Sequence, residues 1–231
     1  VPVGTAMGVN PERVVWVHDP DATDWLGPDA GDGYWWQPSN TDQDAVDQMM
    51  HLAIRNLAGQ DYTKDAWDAV FRTFNSAHGK GSVGYRSGEK ITIKVNFVGF
   101  HNTSFGGVNP AAYDLETKMD YMNASPQIML ALLRNLINIV GVNQSDITMG
   151  DTTAYFPNQY YDLLHDEFPD VNYLDVFGAQ EDYLHEAAQA DAPPSGTFYD
   201  PHNDGDVSRL QSLGTHEHWN NAIDKQYSRN L

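Results

Sequence analysis

The sequence predicts an α/β fold: a mainly parallel sheet with flanking helices in Rossmann-like layers, closed by a long irregular C-terminal tail. Three observations predict it. Short runs rich in β-branched and aromatic residues stand at 91–98, 147–150 and 171–177. Between them lie amphipathic segments of helical period, from Ser125-Pro126 to Gly141 and from Asn158 to Phe168. Strands alternating with helices argue for parallel pairing through right-handed crossovers. After Gly178 the chain turns polar and rich in Pro, Gly, Asn and Asp. Such a segment cannot build its own core. The expected organisation is therefore an α/β domain over 1–178, with a short helix near Glu181–Ala190 and an extended tail over 179–231 packing on it.

In chain order, Arg13-Val-Val-Trp-Val-His18 reads as a buried strand. A loop rich in Gly, Pro, Asp and Trp runs from Asp19 to Asn40. Val46, Met49, Met50, Ala53, Ile54 and Leu57 recur at three- and four-residue spacing, the mark of a helix, with Thr41 as its cap and Gly59 at its end. A second helix starts at Thr63, carries Trp67, Val70, Phe71 and Phe74 on one stripe, and stops near Gly79. Gly79–Gly88 is a Gly-rich loop without the spacing of a phosphate-binding loop. The strand at Ile91–Val98 alternates Ile91, Ile93, Val95 and Phe97 with Thr92, Lys94, Asn96 and Val98. Ser125 then Pro126 is a helix start, Ser at the cap and Pro at the first position. Ile128, Met129, Leu132, Leu133, Leu136, Ile137 and Val140 form that helix's apolar face, and Gly141 ends it.

Composition bounds the function. A chain of 231 residues makes one domain or two and buries roughly 70% of its unfolded surface. Acidic residues outnumber basic ones 32 to 13, giving a formal charge of −19. Nucleic acid is a poor partner for such a surface, because phosphate contacts need a basic face. The excess fits solubility in a salty or extracellular medium, or cation binding. The absence of cysteine excludes disulfides, thiolate metal sites and a cysteine nucleophile. No apolar run reaches the length of a membrane span. The start at Val1 is read as the result of a removed or missing leader. Asn-x-Ser/Thr triplets begin at Asn102, Asn123 and Asn143. No nucleophile elbow and no dinucleotide fingerprint occurs.

Four constellations carry candidate chemistry. Lys94, Asn96, Asp151 and Thr152 stand at the carboxyl ends of two expected parallel strands, where α/β sheets form their sites. A cation, an amide and a helix start at Ser125 suit an anionic or carbonyl group, and Asp151 suits a general base or a metal ligand. The bland reading of the same residues is a Lys94–Asp151 ion pair at the sheet edge. Asp19, Asp21 and Asp24 beside His18 are hard oxygen ligands for a divalent cation such as calcium, or turn formers. Asp200, Asp204 and Asp206 echo a calcium loop, but Gln211 stands where an EF-hand needs its acid. His216 and His218, spaced by two, share one face of an extended segment and suit a transition metal or structural hydrogen bonds.

The stretch from Pro2 through Arg13-Val-Val-Trp-Val-His-Asp-Pro-Asp-Ala-Thr23, Tyr34-Trp-Trp36, Ile91-Thr-Ile-Lys-Val-Asn96, Ser125-Pro126, Ile147-Thr-Met-Gly-Asp151 and the ending from Leu213-Gly-Thr-His-Glu-His-Trp219 to Leu231 stand out together. In combination they resemble secreted bacterial members of the domain-of-unknown-function 362 family. The resemblance brings no established activity. Some relatives carry iron–sulfur modules, which a chain without cysteine cannot ligate. Relatives also have a large central region, with a Lys-x-His element and a Lys-Asn pair, that finds no match between Phe177 and Glu181. The expectation is a polypeptide that is not continuous between Asp175 and Tyr183. The resemblance implies an extracellular or periplasmic protein. The leading expectation is an exported, metal-assisted enzyme acting on a small polar or anionic substrate at the strand ends. The alternatives are a glycan- or protein-binding module using Trp35 and Trp36, and an assembly subunit.

Overall fold

A computed structural model describes residues 7–27, 29–97, 99–100, 108–109, 113–115, 123–151, 154–175 and 188–189 of the chain. It divides into two compact units: Val1–Glu89 with Gln127–Val142, and Lys90–Pro126 with Asn143–Leu231. Of the tail expected over 179–231, only Ala188–Gln189 belongs to the described residues.

The first unit is helical. Helix α1 spans Gln43–Ala58 and α2 spans Thr63–Ala77. Asp42, not Thr41, caps α1: its carboxylate accepts from the Asp44 and Ala45 N–H groups at 2.9 and 3.2 Å. Thr41 instead forms an antiparallel bridge with Thr23. A carboxylate at the positive end of a helix is the stronger cap of the two, because charge adds to the hydrogen bonds. Gly59 ends α1 at φ 67°, where a Cβ would be strained. Helix α3 spans Pro126–Arg134, and Asn135–Val140 continues it as a wider π-helical stretch ending at Gly141, φ 88°. Val46 of α1 and Ala131 of α3 share a small core with Ala22, flanked by Met49 and Met50. Polar pairs tie both α1 and α2 to the α3 segment. Arg134 meets Asp47 at 2.6 Å, and the Trp67 indole donates to Asn135 at 3.1 Å.

Arg13–His18 corrects the sequence reading. It is neither buried nor a strand: Val14 is 91% exposed and Trp16 82%. β propensity measures fit to a pleated, half-buried surface, and among the described residues no strand pairs with this segment to supply one.

The second unit holds the sheet. Strands β1 (Ile91–Lys94), β2 (Ile147–Gly150), β3 (Asn172–Asp175) and the two-residue β4 (Ala188–Gln189) pair in parallel, in that spatial order. Ile91 faces Ile147 and Lys94 faces Gly150; Thr148 faces Asn172. The expected parallel α/β arrangement is present, with a helix in each of the first two crossovers. Residues 188–189 are extended where a helix was expected, because their backbone joins β3. Every residue of β2 is buried, as befits an interior strand. Helix α4 (Asn158–His165) follows β2. Its Tyr160 and Tyr161 join Phe97, Phe100, Phe156 and Tyr173 in a core of edge-to-face and tilted rings, centroids 5.2–6.4 Å apart. Those geometries set the positive ring edge on the negative ring face.

The order β1-β2-β3-β4 advances in one direction. Among the described strands it contains no reversal, so the crevice that doubly wound sheets open at a reversal is not supplied by this part of the sheet.

Candidate functional site at the strand ends

The parallel register carries β1 and β2 out of the sheet side by side. The ladder runs one step past β1, where the Val95 N–H donates to the Gly150 carbonyl at 3.0 Å. Beyond it the Asn96 carbonyl accepts from the Ala124 N–H, also at 3.0 Å. The segment that leads into α3 is thereby tied to the end of β1. A turn follows, closed by the Phe100 N–H on the Phe97 carbonyl at 2.9 Å.

Asp151 directly follows β2 and is 3% exposed. One carboxylate oxygen accepts the Phe97 N–H at 3.2 Å and faces the Lys94 ammonium at 3.6 Å. Lys94 also donates to the Val95 carbonyl at 3.1 Å and to Asn96 Oδ1 at 3.4 Å. Lys94, Asn96 and Asp151, expected to share one sheet edge, therefore do so around a single ammonium group. Thr152, named with them, lies outside the described residues. The lysine side chain stays 59% exposed while its partner is almost wholly covered. A polar group buried at this depth costs stability unless it is paired and hydrogen-bonded, and Asp151 has both.

The opposite end of the same strands offers a comparison that sequence reading missed. Lys90 meets Asp146 at 2.7 Å, and Asp146 also accepts from Asn143 at 3.1 Å. That is a short, charge-assisted clamp. At the carboxyl ends the cation stands almost 1 Å farther from its carboxylate and reaches into solvent. The signal for the clamp was present in the sequence, as Lys90 and Asp146 immediately precede the two strands.

The other candidates separate. Asp19 uses its carboxylate to accept the Asp21 N–H at 3.0 Å and starts the 3-10 turn Pro20–Ala22, while Asp21 and Asp24 are exposed. Among the described residues no group of three or more His, Asp or Glu side chains converges as metal ligands do. Turn formation accounts for Asp19. Asp200, Asp204, Asp206, His216 and His218 lie outside the described residues, as does the junction expected between Asp175 and Tyr183 apart from Asp175 itself. Trp36, proposed as part of an exposed aromatic surface, is 9% exposed and stacked on Tyr34, and its carbonyl accepts from Gln127. The loop folds inward because the buried Asn40 amide donates to the Asp32 and Tyr34 carbonyls at 2.8 Å. Of the glycosylation triplets, Asn123 accepts the Gly99 N–H at 2.8 Å and buries its Nδ2, and Asn143 is engaged with Asp146. Asn102 lies outside the described residues.

Comparison with protein-family models, curated proteins and solved structures finds no match to this chain. No helix among the described residues is long and apolar enough to cross a membrane.

Proposed function

We propose that the carboxyl ends of β1 and β2 bind a small polar or anionic substrate, with Lys94 as the anion contact, Asn96 as an orienting amide and Asp151 as the general base. On this reading the chain is part of an exported enzyme related to the domain-of-unknown-function 362 family. The family proposal rests on the sequence motifs quoted above. A divalent metal such as calcium enters only through ligands outside the described residues, because it takes about six to eight oxygens.

One observation carries the reading: the Lys94–Asp151 pair is long and lopsided, a covered carboxylate facing a half-exposed ammonium at 3.6 Å. A clamp built for stability alone has the shape of Lys90–Asp146, whose charges meet at 2.7 Å; Lys94 and Asp151 each make further hydrogen bonds but stand 3.6 Å apart. An ammonium 59% exposed and this far from its carboxylate retains the capacity to turn toward an incoming oxyanion, and the carboxylate beside it is placed to take a proton from whatever that oxyanion belongs to.

Calorimetric titration of phosphate and of malonate into the protein tests this. Wild type binds at least one of them, Lys94→Gln weakens binding about tenfold or more, equal to about 1.4 kcal/mol, and Asp151→Asn tightens it by removing a like charge. Equal binding by wild type and Lys94→Gln, or none by wild type at millimolar anion, reduces the pair to a structural contact.

A further inference from the structure

Residues 13–19 form a run without helix or turn, with defined ends. Glu12 sits at φ 69°, which breaks it on one side, and Pro20 opens a 3-10 turn on the other. Trp16 is the middle residue of these seven. Side chains alternate along the run: Val14, Trp16 and His18 are exposed, whereas Val15, Val17 and Asp19 are half-buried. Trp16 and His18 stack with centroids 5.4 Å apart and planes 5° apart, which fixes both on one face. Among the described residues the backbone of Val14–His18 has no hydrogen-bond partner on either side. An apolar segment of alternating exposure, unpaired among the described residues, is a template on which a strand can form against another chain.

We propose that this strand pairs with the same strand of a second copy of the chain, as an antiparallel ribbon about a two-fold axis through Trp16. The sequence is self-complementary in that register. Residue pairs sum to 32, so Arg13 faces Asp19 of the second copy, Val14 faces His18, Val15 faces Val17 and Trp16 faces Trp16. Opposite charges meet at both ends, and like parity keeps the two exposed stripes on one face of the ribbon. A register shifted by one residue would set each exposed stripe against a half-buried one. Arg13 retains donors for this contact, because only one of its five N–H groups is engaged, on the Asn56 carbonyl at 2.8 Å. A two-fold contact closes on itself and stops at two copies. A contact of seven residues per copy is far smaller than the roughly 20–30 residues a side of a standard interface, so the expected dimer is weak and depends on concentration.

Sedimentation from roughly 10 µM to roughly 1 mM, in about 0.3 M salt to screen the −19 charge, tests the proposal. The expected result is a mass rising from 25.8 kDa toward twice that value. Trp16→Lys, on an 82% exposed side chain, leaves folding intact and weakens the dimer tenfold or more. Asp19→Arg also weakens it, by setting arginine against Arg13, and the double change Asp19→Arg with Arg13→Asp restores it. A monomer at every concentration, a dimer indifferent to Trp16→Lys, or a double variant no better than Asp19→Arg overturns the proposal; the first of these leaves the strand to a different partner.

Discussion

Replacing Lys94 by Met should cost more stability than replacing Asp151 by Asn, and the two losses should not add. At 3.6 Å the pair's attraction lies between about 1 kcal/mol in water and about 4–5 kcal/mol at an effective dielectric of 20. The lysine side chain is 59% exposed, so solvent screening pulls the figure toward the lower bound, and about 1.5 kcal/mol is expected for the coupling. Lys94→Met leaves a covered carboxylate without its cation and should cost about 2 kcal/mol. Asp151→Asn keeps an oxygen for the Phe97 N–H and frees a lysine that water already solvates, so it should cost about 1 kcal/mol. The double variant should then lose about 1.5 kcal/mol, less than Lys94→Met alone. Urea denaturation of the four proteins at neutral pH measures this cycle, with Lys90→Met as the reference for a tighter pair at 2.7 Å. If the single losses add to within about 0.5 kcal/mol, the two charges are not coupled and the electrostatic account of the strand ends fails.

Three other outcomes follow from the same structure. Gly150→Ala should destabilise the protein by about 3 kcal/mol or more, read by denaturation, because the new Cβ would lie inside the van der Waals surface of the Leu174 backbone, which cannot rotate away; an unchanged midpoint would show that β2 and β3 are farther apart. Phe97→Ala should cost about 3–5 kcal/mol, since a fully buried ring contacting Phe100, Phe156 and Tyr160 is removed, and a loss under about 1 kcal/mol would place Phe97 outside the core. Burial raises the Tyr160 hydroxyl well above its ordinary value; burial first, then Tyr161 and Glu167, raise that of Tyr173. The folded state therefore holds these protons more tightly than the unfolded one. Stability should be full below about pH 10 and decline as pH rises toward the raised values, less steeply in Tyr160→Phe, with urea midpoints across that range as the measurement.

The strand–helix alternation was legible because each element is specified locally. Pro126, Gly141 and Gly59 mark helix ends by backbone geometry alone, and the β-branched runs at 91–94 and 147–150 have no other regular use. Parallel pairing followed, since a crossover of such length cannot be a hairpin. The position of Asn96 and Asp151 at one sheet edge followed in turn from strand direction. The core of the second unit was not legible. Phe97 and Phe100, Phe156 and Tyr160, and Tyr173 come from three stretches far apart in the chain, and no single periodicity links the three.

Sequence by itself determined the helices at 43–58, 63–77, 126–140 and 158–165, the parallel strands β1 to β3, and which end of the sheet gathers Lys94, Asn96 and Asp151. Only tertiary structure decided what each polar group does there. Arg13–His18 has the composition of a buried strand and lies exposed, because a strand is completed by its neighbour's backbone and not by its own residues. The Asp19 cluster initiates a turn, and Trp36 is drawn inward by hydrogen bonds from distant positions. Burial, pairing distance and solvent access are set by residues far apart in the chain, and these quantities separate the clamp at Lys90–Asp146 from the loose, half-open pair at Lys94–Asp151.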